Sequence, residues 1–534
     1  MVLASGRIRE AASHKSKVAL DFALAALRAG DVAGAELRLR DALLADPFNA
    51  DALVKLAEIA VEQRRIEDAT VLLRKAVTAD LNPERRLELI YHLQRFGGPG
   101  LVLNELQELP AEIRERHEVK AIEAGTRGIL GDHEEQIRIY EEMARERPRQ
   151  AGLWMSLGNA LKTVGRTDEA VDALRRALKV QPTYGEAYWT LANFKSFRFL
   201  PRELNQMRQA LRKKLPDEDA LHLYFALGKA YEDSGDYEES FAQYAAGNVL
   251  RAEEFTPDQS SATEFVDEAI ATFTPEFFER NRGAGCRERG PIFVVGLHRS
   301  GSTLIEQILA SHPLVEGTAE LATINLIRNR IARATGLNPC AAIAQLEPAQ
   351  FADIGAEYLE RTRAFRMTDR PYFVDKMPNN WMNLAFIRLA LPNATIIDAR
   401  RHPLACGFSN FKQNYANGVG YSYSLATIGA FYRDYWRFVR HFDAVQPGAV
   451  RHVLNERLIE NPEGEIRGLL DFAGLPFDPA CLSSHANTRA VRTPSAEQVR
   501  KPINREGVDY WRHYEPWLDE LKRALGPALE GWET

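Results

Sequence analysis

Two rhythms of apolar and polar positions run along the 534-residue chain. Up to residue 254 the large, small and turn positions recur in register. Pro148, Pro182 and Pro216 stand 34 residues apart. A fixed period of that length predicts stacked helical hairpins, each burying its apolar face only against its neighbours. Beyond residue 290 short apolar runs alternate with helical stretches, which predicts a parallel sheet. Strands are expected at 292–296, 372–374, 394–398 and 450–454. Helices are expected at 302–311, 382–390, from Pro403 onward and at 463–474, with a mixed helical stretch over 319–364. Residues 255–290 lose the repeat phase and end in the polar run Asn281–Gly290. The chain is therefore expected to comprise a tail (1–15), a helical array (16–254), a linker (255–290) and an α/β domain (291–534).

The unit at 151–184 is the clearest. Its Trp154, Leu157, Gly158, Leu161, Ala170, Leu174, Ala177 and Pro182 resemble the tetratricopeptide repeat. Gly158 and Ala170 let two helices approach closely, and Pro182 stops the second one. Weaker copies in phase lie at 16–49, 50–83, 117–150, 185–216 and 221–254, while 84–116 is degenerate. The resemblance implies a superhelical solenoid whose concave face binds a peptide or partner protein. A spacer or dimerisation arm stays open beside that, and so does a homodimer.

Composition narrows the class. A hydrophobic content of 45% and a charged content of 27% are ordinary for a soluble protein. A net charge of −6 argues against bulk nucleic-acid binding. No run approaches about 20 apolar residues, so no membrane span is expected, and the opening MVLASGRIREAASHKSK has no secretory core. The cysteines, Cys286, Cys340, Cys406 and Cys481, fit neither a metal site nor a disulfide framework. Reduced thiols in the cytoplasm, and no metal, are the expectation.

The chemistry is concentrated after the first strand. Residues 291–303, Pro-Ile-Phe-Val-Val-Gly-Leu-His-Arg-Ser-Gly-Ser-Thr, read as a strand, a tight turn and a helix start. Such a loop can wrap an anion with backbone N–H groups at a helix N-terminus. The spacing Gly296-x4-Gly301-x-Thr303 nearly matches a nucleotide P-loop, but Ser302 stands where that loop has lysine, and the cation is Arg299. Without the lysine a β/γ-phosphate is poorly gripped; a single 5′-phosphate-type group fits better. Parallel sheets bind ligands at the carboxyl ends of their strands. Two further strand ends carry cations there: Lys376 in Asp375-Lys376-Met377-Pro378, and Arg401 in Arg400-Arg401-His402-Pro403. Arg401 and Ser409, on the next helix, can meet on one oxyanion, giving two phosphate sites for one nucleotide.

This combination resembles the sulfotransferases that use 3′-phosphoadenosine-5′-phosphosulfate (PAPS), over about residues 291–515. It is most similar to the tyrosylprotein sulfotransferases. The resemblance implies an α/β P-loop-like fold. His298, Arg299, Ser300, Gly301, Ser302 and Thr303 would hold the 5′-phosphosulfate, and Arg401 with Ser409 the 3′-phosphate. Glu320, eight residues after His312, takes the place of the catalytic base. Lys376 takes that of the catalytic lysine. Ser495, ahead of Gln498-Val499-Arg500-Lys501-Pro502, takes that of the catalytic serine, and Lys501 is carried as a nucleotide contact. Read alone, Glu320 is a carboxylate on a solvated helix face, Lys376 a surface lysine and Ser495 a turn serine. Trp381 is either an adenine wall or core. Departures are Ala322 and Leu326 where that branch has basic residues, Gln413 beside Lys412 for an arginine, Asn455 for a tyrosine and Tyr510 for a lysine. The branch's disulfides have no counterpart here, and it lacks the repeats.

The expected activity is therefore sulfonate transfer to an acceptor hydroxyl. A protein or peptide recruited by the repeats is the favoured acceptor, with tyrosine one option and a glycan or small molecule left open. The competing readings are a P-loop-type kinase or NTPase, with Asp398 as its acidic metal ligand, and a non-catalytic interaction protein.

Overall fold

The computed structural model describes residues 2–63, 65–79, 82–96, 98–194, 196–254, 259–318, 320–415, 419–487, 489 and 496–533. The chain forms two compact units, divided between residues 191 and 192.

The first unit is made of helix pairs. Val2–Arg28 packs on Val32–Ala45, Ala50–Glu62 on Ile66–Val77, His117–Leu130 on His133–Glu146, and Ala151–Thr163 on Thr167–Val180. Ala170, Leu174 and Ala177, expected as the close-approach side of the clearest repeat, are fully buried. The degenerate stretch keeps the architecture: Pro83–Phe96 and Pro99–Gln107 are helices, and their Ile90, Leu93, Val102 and Leu106 join the neighbouring core. A helix also runs through most of the stretch read as a tail.

The second unit holds a five-stranded parallel sheet: β1 (Pro291–Gly296), β2 (Val315–Gly317), β3 (Tyr372–Lys376), β4 (Thr395–Arg400) and β5 (Val450–Leu454). The order is β2-β3-β1-β4-β5, with β1 central and every residue of it buried. Its side chains are apolar on both faces, as expected of a strand covered by helices on each side. The register sets Val294 beside Lys376 and Gly296 beside Ala399, so β1 and β4 end within a residue of each other and β3 ends two residues earlier. Helices Ser302–Ala310, Leu384–Ala390, Pro403–Phe411 and Pro462–Phe472 stand where helical stretches are expected. β2 is the strand that the sequence pattern does not reveal.

The stretch 255–290 contains helices Gln259–Thr272 and Pro275–Arg280. The first lies on the long helix Leu425–Val445, where Thr263 donates to Asp434 at 2.6 Å and Phe265 meets Phe438. The last repeat copy, helices Asp217–Ser234 and Tyr237–Glu254, also belongs to this unit. Asn248 Nδ2 donates to the Phe411 carbonyl at 2.7 Å, Ser240 and Tyr514 share a hydrogen bond of 2.9 Å, and Phe241 stacks on Phe411 and Trp517. Among the described residues no helix is long and apolar enough to cross a membrane.

Candidate active site

Reading across the carboxyl edge of the sheet from β2 to β4 gives, in order, Glu320, Lys376, the loop 297–301 and Arg401. The strand order alone brings these four together, because each lies at or just beyond a strand end.

The loop is held in an uncommon backbone. Gly296 has φ +131°, and a Cβ there would collide with the Ala399 carbonyl on β4, so glycine is required. Arg299 has φ +68°, the left-handed region, alone among the described non-glycine residues. That conformation costs about 1–2 kcal/mol for an ordinary side chain and persists because neighbours fix the loop. Asn410 Nδ2 donates to the His298 carbonyl at 2.8 Å, and Arg401 Nη1 donates to the Arg299 carbonyl at 3.2 Å. Gly301, at φ +99°, opens the helix Ser302–Ala310, and a Cβ there would stand 2.7 Å from Asn455 Oδ1. First-turn amides of a helix have no partner within it, and the dipole favours an anion in front of them.

Cations gather at this edge. Arg299 Nε donates to Ser409 Oγ at 3.0 Å, and Arg401 Nη2 donates to the Gly507 carbonyl. Burial, with Arg299 close by, holds the Arg401 guanidinium below its ordinary value. Arg401 Nε and the buried Ser300 hydroxyl have no hydrogen-bond partner among the described residues. Two neighbouring guanidiniums and unspent donors around a helix start form a cradle suited to an anion.

Lys376 ends β3 almost fully buried. It pairs with Glu320, and its Nζ lies 3.9 Å from Glu306 Oε2. The Lys376 side chain is 2% exposed and that of Glu320 43%, so the carboxylate is the member an incoming molecule can reach. Glu320 sits in the loop after β2, not on a helix; the next helix starts at Thr323. That loop is tied down by Thr318, whose Oγ1 donates to the Val374 carbonyl at 2.7 Å, and in β3 Asp375 Oδ2 accepts from the Tyr358 hydroxyl at 2.7 Å. Burial pushes Asp375 up to about 7 against the hydrogen bond from Tyr358. Burial pushes His298 down to about 4; Glu320 opposes this, and Lys376 and Arg299 add to it, so its imidazole is neutral at pH 7. Its Nδ1 lies 3.1 Å from the Tyr421 hydroxyl.

The structure thus brings together His298, Arg299, Ser300, Gly301, Ser302, Thr303, Arg401 and Ser409 around the cradle, with Lys376 and Glu320 beside it. Lys501 is exposed, just after a turn of helix, Ala496–Val499, that packs on Ser302–Ala310. Ser495 lies outside the described residues. Trp381 is fully buried among Phe431, Tyr435 and Phe438, which makes it core. Lys412 is spent on Glu232 at 3.0 Å and on the Tyr510 ring at 4.6 Å. Asp398, the acid a metal-dependent NTPase would need, is fully buried. It accepts from Tyr435 at 2.6 Å and Arg400 Nε at 3.1 Å, and lies 2.9 Å from His452 Nδ1. Two participants escape sequence reading. Glu306, a charge inside the apolar run Leu304–Ala310, could have been noticed. Arg489, which binds it, stands in a stretch with no pattern.

Residues 291–479 match a family model described as "Sulfotransferase family". Residues 20–83, 151–194 and 221–246 match tetratricopeptide repeat models. A protein of Aquifex aeolicus (strain VF5), named only "Uncharacterized protein", is 31% identical over 401 residues, which are 73% of this chain and 52% of that one. The chain therefore spans about half the length of this curated relative. Among solved structures, the sulfotransferase domain of the Synechococcus PCC 7002 olefin synthase is 21% identical, covering 43% of this chain and 90% of its own, at a TM-score of 0.32. The sulfotransferase domain from the curacin biosynthetic pathway is 18% identical, covering 45% and 96%, at 0.33. YrrB, described as a TPR protein with an unusual peptide-binding site, is 20% identical, covering 32% and 88%, at 0.28.

Proposed function

On the premise that residues 291–479 belong to the sulfotransferase family and follow tetratricopeptide repeats, we propose that the chain transfers a sulfonate group from PAPS to an acceptor hydroxyl. The observation that carries the reading is the ion pair of Lys376, at the end of β3, with Glu320, in the loop after the neighbouring β2, beside an anion cradle with no P-loop lysine. The acceptor O–H gives its proton to Glu320 as its oxygen bonds to sulfur. The bond from sulfur to the bridging phosphate oxygen breaks, and 3′-phosphoadenosine-5′-phosphate leaves. Lys376 neutralises charge on that oxygen, and Ser495 donates a hydrogen bond to it. Positioning and charge stabilisation dominate such transfers, and a positioned base contributes about 10²–10⁴-fold. His298, Arg299, Ser300, Ser302 and Thr303, with the loop amides, hold the 5′ end. Arg401 and Ser409 hold the 3′-phosphate, and Lys501 supplements the nucleotide contacts.

The repeats make a protein or peptide the favoured acceptor, and a tyrosine side chain fits that class. The cysteines are unpaired thiols, which suits a reducing cytoplasm. Thermal shifts with 3′-phosphoadenosine-5′-phosphate against ATP plus magnesium test the donor; stabilisation by ATP alone would end this reading. Glu320→Ala is expected to keep nucleotide binding and abolish turnover. Unchanged turnover would remove Glu320 as the base.

A further inference from the structure

We propose that Arg489 is a positioning residue of this reaction: it occupies Glu306 so that Lys376 stays with Glu320 and the donor. The inference rests on the sulfonate-transfer reading. It starts from four alternating charges in a row. Lys376 touches Glu320 on one side and lies 3.9 Å from Glu306 Oε2 on the other. The other oxygen of Glu306, Oε1, accepts from Arg489 Nη2 at 2.6 Å. The same nitrogen donates to the Thr318 carbonyl at 2.7 Å, and Arg489 Nε donates to the Gly317 carbonyl at 3.0 Å.

Glu306 and Lys376 have side chains only 3% and 2% exposed. A buried carboxylate this near a buried ammonium is a competitor for it, since attraction is little screened away from water. The distances give the order of preference. The bond from Arg489 is short and charge-assisted, whereas Lys376 at 3.9 Å from Glu306 is outside hydrogen-bond range. Without Arg489, the nearest counter-charge for Glu306 is Lys376. Its ammonium would swing towards the helix Ser302–Ala310, away from Glu320 and from the bridging oxygen it is to neutralise. Arg489 also fixes the backbone of residues 317 and 318, immediately ahead of Glu320, so one guanidinium positions both the base and the lysine. No contact with nucleotide is required of it.

The test uses the full chain and the variants Arg489→Gln, Arg489→Lys, Glu306→Gln and the double variant Arg489→Gln/Glu306→Gln. Calorimetry reads the Kd for 3′-phosphoadenosine-5′-phosphate, and chromatography reads conversion of PAPS with a tyrosine-containing acidic peptide or water as acceptor. Arg489→Gln should lower kcat at saturating donor by about tenfold or more, while the Kd moves less than about twofold. Arg489→Lys should recover part of the loss. The double variant should turn over faster than Arg489→Gln alone, because removing Glu306 frees Lys376 again. A double variant as slow as Arg489→Gln, or slower, overturns the proposal, since a merely structural role predicts accumulating damage. Loss of nucleotide affinity in step with kcat overturns it too. A parent chain that neither binds 3′-phosphoadenosine-5′-phosphate nor consumes PAPS overturns the sulfonate-transfer reading and this role together, and that is seen before any variant is made.

Discussion

Replacing Asp398 by asparagine should destabilise the sheet domain without touching any metal-dependent step. Asp398 is fully buried in β4, with Arg400 1% exposed beside it and His452 between Asp398 and Asp443 at 2.9 Å from each. Asparagine keeps the shape and removes the charge, leaving a buried guanidinium without its counter-ion. Breaking a buried pair in this way costs about 3–5 kcal/mol. The pH dependence is specific. Burial opposes the charge on His452, but hydrogen bonds to Asp398 and Asp443 overcome it and raise its pKa from 6.5 to about 9. A pKa raised in the folded state gives stability that is complete below 6.5 and lost as pH climbs through about 9. The shift corresponds to on the order of 3 kcal/mol. Urea unfolding followed by tryptophan fluorescence at pH 6, 7.5 and 9 reads both effects. The parent should weaken over that range, and Asp398→Asn should be weaker at pH 6 with a flatter profile. An Asp398→Asn protein of parent stability that loses only magnesium-dependent nucleotide binding would refute the reasoning and revive an NTPase.

Three further substitutions separate roles within the domain. Arg401→Ala should weaken 3′-phosphoadenosine-5′-phosphate by about tenfold or more and leave adenosine-5′-phosphosulfate, which lacks the 3′-phosphate, nearly unchanged; equal losses in calorimetry would count against a 3′ site. Trp381→Ala should cost about 3–5 kcal/mol in urea unfolding, with a variant that still folds binding nucleotide normally; lost affinity at unchanged stability would make it an adenine wall. Gly296→Ala should cost more than the roughly 1–2 kcal/mol of left-handed strain alone, because the Ala399 carbonyl belongs to a paired strand and cannot retreat; an unchanged melting temperature would contradict this.

Much of this architecture is legible in one sequence because it rests on local patterns. The run 291–296, its closing glycine and the following helix announce strand, loop and phosphate-sized turn. The 34-residue recurrence announces the hairpins. What stays hidden depends on distant partners. β2 is three residues long, too short to display a period. Glu320 is flanked by helix-favouring alanine and leucine, so propensity predicts a helix. Instead, Thr318 donates to the Val374 carbonyl and Arg489 takes the carbonyls of Gly317 and Thr318, which commits that backbone elsewhere. Arg489 reaches Glu306 across 183 positions of sequence, and no spacing rule spans that gap. The two readings of Trp381 separate only once its three aromatic neighbours are known.

The final repeat hairpin carries a lesson for anyone cutting this gene. Glu232, Ser240 and Asn248 are committed to Lys412, Tyr514 and the Phe411 carbonyl, and Phe241 is sandwiched with Phe411 and Trp517. An expression fragment beginning at the first strand would bare that aromatic face to water and strand Lys412, one residue past the helix that bears Ser409, without its carboxylate. The hairpin is thereby built into the scaffold of the sheet unit, and recombination that swapped solenoids between such genes is expected to be tolerated only upstream of it.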